Sequence, residues 1–317
     1  MVAKFLITLC LALSLVAGAV VWRSASREAI AEATYPPEGQ ILDVDGNAIH
    51  AVVSGKGPDV VLIHGSSGNT RDMTFALAPI LAGSYRVIVF DRPGLGYSES
   101  FNPDGETIVE QATILQKAAE LLGAEKPIVA GQSYGGSVAL AWAVTRPNNL
   151  SGLVLIAPAA IPWETPLDAF NTIGATAAGR TLVLPLITAF VPDWYVAQAL
   201  DKVFAPQIAP DGYADHFGPG LTSRRASMHA NAKQRANLLA EVTELQPRYK
   251  EINVPTEIVH GTADATVGLG WHSDRLIEQI PGAELIELEG IGHMPQVVAA
   301  PEVAAAIDRA ADRAGLR

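Results

Sequence analysis

Residues 127–136 read Pro127-Ile-Val-Ala-Gly131-Gln-Ser133-Tyr-Gly135-Gly136, and the fold follows from how this stretch is read. Ile128 to Ala130 is a short apolar run of the kind that forms a buried strand. Ser137-Val-Ala-Leu-Ala-Trp142 opens a helical pattern directly after it. Between them lies Gly-x-Ser-x-Gly, a strand-to-helix hairpin that presents one serine at the top of a sheet. A serine held in a strained backbone conformation leaves no room for β-carbons two residues to either side, so Gly131 and Gly135 are required by sterics. The start of the following helix carries a partial positive charge, which favours an oxyanion beside Ser133. A glycine-rich turn with an incidental serine would read the same over ten residues. Its flanks, and four further stretches, separate the two.

Working outward, strands and helices alternate. Val60 to Ile63 reads as a buried strand running into His64-Gly-Ser-Ser-Gly68, with a helix expected from about Asn69 to Leu81. Tyr85 to Phe90 is a second strand, ending in Asp91-Arg-Pro-Gly-Leu-Gly-Tyr-Ser98. Thr107 to Leu122 is amphipathic, with Ile108, Ala112, Leu115, Ala119 and Leu122 on one face. Leu153 to Ile156 follows the central hairpin as another strand. Ahead of all these, Ile41 to Val44 and Ala48 to Val53 flank Asp45-Gly46-Asn47 as a tight hairpin. Such alternation predicts a mostly parallel, doubly wound α/β sheet.

From about 158 to 236 the alternation stops. Prolines, aromatics (Phe170, Phe190, Trp194, Tyr195, Phe204, Phe217) and helical patterns fill this stretch, which reads as an inserted helical cap. The rhythm resumes with a helix near Asn237–Tyr249, the strand Thr256 to His260 and the loop Gly261-Thr-Ala-Asp264. A helix near Trp271–Gln279, a strand Ala283 to Leu288, the loop Gly290-Ile-Gly-His293 and a helix from Pro301 complete the chain.

The 317 residues suffice for one large α/β domain with an insertion. A net charge of −11 argues against nucleic acid and against anionic lipid headgroups as partners, since both select basic surfaces. Cys10 is the only cysteine, which excludes an internal disulfide and a thiolate metal cluster. No metal and no cofactor is expected, and a small-molecule substrate is the expected partner. Oligomeric state is not written in the sequence.

Phe5 to Trp22 is an uncharged, largely apolar stretch of 18 residues, preceded by Lys4 and followed by Arg23 and Arg27. Its length is at the short end for a membrane-crossing helix. Ala17-Gly18-Ala19 fits a signal-peptide cleavage site. The apolar character continues past that site to Trp22, which with Arg23 resembles an interfacial anchor. The expected organisation is therefore an anchor or signal segment with a polar linker over 1–39, and a catalytic domain over 40–317. That domain would sit outside the cytoplasm, on a membrane anchor or, after cleavage, secreted or periplasmic.

A serine hydroxyl is a weak nucleophile until a base takes its proton. His293 and Asp264 lie in loops that directly follow expected strands, where a parallel sheet presents its site. Their chain order, Ser then Asp then His, is that of one hydrolase superfamily. The chain resembles the α/β-hydrolase fold enzymes that carry a helical cap. The resemblance runs from about Gln40 to the C-terminus. It rests on His64-Gly65-Ser66, Asp91-Arg-Pro-Gly94 through Ser98, Gly131-Gln-Ser133-Tyr-Gly135, Gly261-Thr-Ala-Asp264 and Gly292-His293-Met-Pro295.

The resemblance implies Ser133 as nucleophile, His293 as general base and Asp264 as the group that fixes its tautomer. It also implies an oxyanion hole from the backbone N–H groups of Tyr134 and Ser66. Other polar residues read as structural: His64 supports its loop, His260 packs at a strand end, and Asp91 and Arg92 hold a loop together. Asp274 and Asp91 compete with Asp264 for the acid, but only Asp264 has both the post-strand position and the motif. His229 and His272 have no supporting context.

The leading expectation is cleavage of a carboxylic ester in a small to medium, apolar substrate. Haloalkane dehalogenases and epoxide hydrolases of this fold carry a carboxylate at the position of Ser133, which argues against both. Carbon–carbon bond hydrolases of the ring-cleavage type use the same three side chains and are the enzymatic alternative. A non-catalytic binding protein on the same fold is the alternative of a different class.

Overall fold

The computed structural model describes residues 1–317, the side chains of Asp193 and Ala197 excepted. Eight strands form one sheet: β1 (Gln40–Val44), β2 (Asn47–Gly55), β3 (Asp59–Ile63), β4 (Arg86–Phe90), β5 (Ile128–Gln132), β6 (Gly152–Ile156), β7 (Thr256–Gly261) and β8 (Glu284–Leu288). Their spatial order is β1-β2-β4-β3-β5-β6-β7-β8. β1 and β2 form the expected hairpin, and β2 runs antiparallel to β4. From β4 to β8 every pairing is parallel. This is the α/β-hydrolase fold.

The strand order reverses around β3, which pairs with β4 on one side and β5 on the other. A crevice opens outside the strand ends where the winding changes direction, and ligands of open α/β sheets bind there. Ile63 at the end of β3 is level with Gly131 in β5. The loops after these two strands, with Ser66 and Ser133, are therefore neighbours.

Alternate residues of each strand enter opposite layers, as the two-residue repeat of a strand dictates. Val61, Ile63, Val129, Leu153 and Leu155 face α4 (Ile108–Leu121) and α5 (Tyr134–Thr145). Val60, Leu62, Ile128, Ala130, Val154 and Ile156 face the opposite layer, which includes the C-terminal helix Ala300–Arg313. Buried on both faces, the central strands read as continuous apolar runs. Leu155 is fully buried, and cutting it to alanine would cost about 2–5 kcal/mol.

The stretch expected as one helix from Asn69 is two short ones, α2 (Thr70–Thr74) and α3 (Leu77–Leu81). Between β6 and β7 lie α6 (Ala169–Gly174), a π turn at Gly179–Val183, α7 (Leu184–Phe190), α8 (Asp193–Phe204), α9 (Tyr213–Phe217), α10 (Pro219–Thr222) and α11 (Arg225–Leu245). The helical insertion is there, but α11 straddles its expected end at 236 and continues as a single 21-residue helix. The short α12 (Ser273–Leu276) precedes β8, and α13 (Pro295–Val298) and α14 (Ala300–Arg313) close the chain.

The N-terminus is one helix, α1 (Val2–Thr34), long and apolar enough to cross a membrane; signal sequences share that character. The segment expected as a polar linker from Ser24 continues this helix to Thr34. Ala25, Ala29, Ala31, Ala33, Glu28 and Glu32 are strong helix formers, and tertiary contacts hold them. Glu28 grips Arg225 through both carboxylate oxygens at 2.6 and 2.9 Å, and Glu32 meets Arg224 at 3.0 Å. Arg23 and Arg27 donate to the carbonyls of Ala189 and Val191 at 2.8 and 2.6 Å.

Candidate active site

Ser133 joins β5 to α5 at φ 53°, ψ −117°, a conformation that costs a non-glycine residue about 1–3 kcal/mol. Its surroundings impose it. Its N–H donates to Ile156 O at 2.9 Å, and its carbonyl accepts from Gly136 and Ala159 at 3.0 and 3.2 Å. A β-carbon at Gly131 would lie 2.1 Å from Gly135 O, and one at Gly135 would lie 2.3 Å from Ile63 O. Both glycines are thus required by close backbone approach.

Asp264 follows β7 and His293 follows β8, and the fold brings them together. His293 Nδ1 lies 2.7 Å from Asp264 Oδ2, with both residues buried. Asp264 Oδ1 accepts from the backbone N–H of Thr266 and Val267 at 2.8 and 2.9 Å. Burial works against its charge, but the hydrogen bonds from His260 and His293 outweigh that and hold the carboxyl well below the usual carboxylate range. An ionised carboxylate only accepts, so His293 carries its proton on Nδ1 and leaves Nε2 as the basic nitrogen. Gln132, next to Ser133, links the hairpin to this loop: its side-chain amide donates to His293 O at 3.0 Å and lies 3.3 Å from His293 Nε2.

Ser66 is in the turn after β3. Asn231 of α11 holds that turn, accepting from Ser66 Oγ at 2.9 Å and from Ser67 N–H at 2.7 Å. Tyr134 is the first residue of α5, and the first amides of a helix have no intrahelical acceptor. The loops bearing these two residues meet where β3 and β5 end side by side.

His64 is buried, donates from Nδ1 to Gly65 O at 2.9 Å and accepts at Nε2 from Arg92 N–H at 3.0 Å. Burial, reinforced by the Arg92 charge, pushes it down to about 3, so it stays neutral. Asp91 accepts from His50 Nδ1, Thr70 N–H and Tyr97 N–H at 2.6, 2.6 and 2.8 Å. Arg92 donates to Gln111, Gln234 and Gly65 O, and its guanidinium lies 4.1 Å from the Tyr134 ring centre. These are the supporting roles expected of His64, Asp91 and Arg92. His272 accepts from the N–H groups of Ala160 and Ile161, and Asp274 is on α12.

Three side chains have supporting roles beyond any expected of them. His260 does more than pack: its Nε2 is 2.7 Å from Val267 O and 3.2 Å from Asp264 Oδ2, while Nδ1 accepts from Ser273 Oγ at 2.6 Å. Asn231 is the second. The third is Asp72, buried on α2, whose Oδ1 accepts from Tyr213 OH at 3.0 Å and from Gln296 at 3.4 Å. Burial raises its carboxyl to about 6. Of the three only His260 carried a signal, its place four residues before Asp264. Among the described residues no three His, Cys, Asp or Glu side chains converge as metal ligands.

Residues 60–306 match the family model described as the alpha/beta hydrolase family. Haloalkane dehalogenase 2 of Mycobacterium bovis is 26% identical over 288 residues, 86% of this chain and 94% of that protein. A 2-hydroxy-6-oxononadienedioate/2-hydroxy-6-oxononatrienedioate hydrolase of Klebsiella pneumoniae is 28% identical over 284 residues, 83% of this chain and 93% of the other. A solved structure of a membrane phospholipase A, described as a bacterial virulence factor, superposes with a TM-score of 0.65. It is 22% identical and covers 97% of this chain and 99% of its own.

Proposed function

Since the chain belongs to the alpha/beta hydrolase family and is a hydrolase, we propose that it cleaves carboxylic esters of small to medium, apolar substrates through an acyl-enzyme on Ser133. One observation carries this reading: an ionised, buried Asp264 at 2.7 Å from Nδ1 of His293, with the strained Ser133 directly following Gln132, whose amide donates to His293 O.

In this mechanism Nε2 of His293 takes the Ser133 proton as Oγ attacks the acyl carbon. The negative oxygen of the tetrahedral intermediate accepts from the amides of Tyr134 and Ser66, each worth roughly 10²–10³ in turnover. His293 then protonates the leaving alcohol and activates the water that releases the acid. Asp264 stays ionised throughout and keeps the imidazole oriented.

The Klebsiella relative, a hydrolase of an oxo-dienedioate, favours a second reading, cleavage of a carbon–carbon bond by the same side chains. The dehalogenase likeness is opposed by Ser133, which stands where those enzymes carry a carboxylate. Steady-state rates on an aryl ester and on a vinylogous diketone separate the two readings.

The decisive test is intact mass after treatment with a serine-directed phosphonate, for wild type and Ser133→Ala. One adduct on wild type and none on the variant is the expected result. No adduct on either, with a small probe as well, overturns the mechanism. We also infer that α1 is retained as a membrane anchor with the catalytic domain outside the cytoplasm. The intact mass of the chain from the membrane fraction tests this, since cleavage after Ala19 would remove the first 19 residues.

A further inference from the structure

The C-terminal half of α1 is docked against the cap, and that fixes which face of the cap meets whatever surrounds the apolar half. At 1.5 Å per residue, Phe5 to Trp22 reaches about 27 Å, close to the ~30 Å of a hydrocarbon core. Arg23 is the first charge after this stretch. Its Nε donates to Ala189 O at 2.8 Å, and its guanidinium lies 5.4 Å from the Phe190 ring centre. Phe190 is therefore level with the end of the apolar segment, where the membrane–water boundary falls if α1 spans.

Contacts advance together along the two helices, from Arg23 with Ala189 to Arg27 with Val191. Residues earlier in α7 thus lie towards the apolar end of α1. Leu182, Leu186 and Phe190 follow one another at intervals of four and share a face. With Trp194 at the start of α8 they are between 49% and 67% exposed. Trp194 and Tyr195 pack edge-on at 5.8 Å, and Trp22 is exposed on α1. Exposed apolar and aromatic side chains beside an apolar helix are the chemistry of a membrane interface.

The same cap segment reaches the site. α8 starts at this face and spans about 18 Å at helical rise. Its last residue, Phe204, packs with Met294, the neighbour of His293. Just beyond α8, Gln207 accepts from Gly292 N–H at 2.8 Å and donates to Gly290 O at 2.7 Å. One helix thus separates the apolar face from the loop that carries His293.

We propose that the α7–α8 face rests in the surface of the bilayer that holds α1. The substrates are then acyl esters that partition into that bilayer and reach Ser133 from the membrane side. This rests on the ester-hydrolase and anchor readings above and names their substrate class. The occupant is lipid because the apolar stretch Phe5 to Trp22 of α1 is exposed, Val20 excepted. Any medium that covers α1 continues onto Phe190 and Leu186.

The test uses the full chain in phosphatidylcholine vesicles. A nitroxide on the native Cys10 reports whether α1 is immersed, and one on Leu186→Cys in a Cys10→Ser background reports the cap face. The expected result is oxygen access and exclusion of a water-soluble nickel chelate at both positions. Water exposure at 186 with immersion at Cys10 overturns the docked face, and water exposure at Cys10 overturns the anchor itself. Spin–spin broadening at 186 that persists on dilution with lipid means a second copy covers the face, which also overturns the proposal.

For substrate class, Leu186→Glu/Phe190→Glu/Trp194→Glu should lose about tenfold or more on a long-chain ester embedded in vesicles. Its rate on a water-soluble butyrate ester should stay within about twofold of wild type. Equal loss on both substrates marks a folding defect, and Trp194→Glu alone is then scored by the same two rates. Unchanged rates on both substrates overturn the membrane route. Wild type inert on both the soluble and the embedded ester would instead sink the hydrolase mechanism, while the nitroxide result still decides the surface.

Discussion

His260 Nε2 lies 3.2 Å from Asp264 Oδ2, the same oxygen that accepts from His293 Nδ1 at 2.7 Å. One carboxylate oxygen of Asp264 is thus shared by two imidazoles. Replacing Asp264 with Asn puts a donor among groups that also donate and removes the fixed negative charge. Asp264→Asn should lower kcat by about 10⁴ with an intact fold, checked by steady-state hydrolysis of a soluble aryl ester and by circular dichroism.

His260 also satisfies Ser273 Oγ and Val267 O in the interior. His260→Phe leaves those groups without a partner, at about 1–3 kcal/mol each. The expected outcome is a clear drop in the urea midpoint together with a lower kcat at nearly unchanged KM. A variant that loses stability but keeps full kcat would show that His260 does not position Asp264.

Asp72 gives a pH dependence whose sign can be worked out. Its carboxyl titrates near 6 in the folded chain against 3.8 unfolded, because burial disfavours the charge. Between those values the native state binds more protons, so its contribution to stability falls as pH rises through the window. Asp72→Asn removes this dependence. Its stability relative to wild type should be roughly 3 kcal/mol more favourable at pH 8 than at pH 3.5, read from paired urea titrations.

The junction between α1 and the cap is testable by protease. Glu28→Ala removes the bidentate partner of Arg225 and loosens α1 beyond the apolar segment. Trypsin cleavage after Arg23 and Arg27 should accelerate about tenfold, with soluble-ester turnover unchanged. Burial opposes the Glu28 charge, but the Arg225 bonds outweigh it and lower its pKa from 4.5. That stabilisation is present above 4.5 and lost as pH falls through the lower, folded value. With an acid-active protease as the probe, the difference in cleavage rate between wild type and variant should therefore shrink in acid.

Much of the fold was legible because its signals are local. Ile128 to Ala130 is apolar on both faces because helices cover both faces, and Gly131 and Gly135 mark backbone contacts within one hairpin. Asp264 and His293 could be placed because each directly follows a strand. The supporting residues were hidden because their partners are distant in sequence. Asn231 meets Ser66 across 165 residues, and Tyr213 meets Asp72 across 141, and no periodicity encodes such pairs. The extension of α1 is masked by its polarity: Ser24 to Thr34 carries the charges of a linker, and its order comes from Arg224 and Arg225 at the start of α11, far along the chain. The first turns of α11 carry Arg, Ser, His, Asn, Lys and Gln, so no apolar period marks its start; its buried face there packs through small and amide side chains.

The continuous helix from Val2 to Thr34 has a consequence for kinetics. An enzyme on a floppy leash sweeps a volume and meets substrate at its bulk concentration. With α1 stiff and clamped to the cap, an anchored domain stays at one height and samples a plane. Its encounter rate then follows the lateral mobility and mole fraction of ester in the lipid sheet. Diluting that ester with inert lipid would slow turnover even when the total amount in the tube is unchanged.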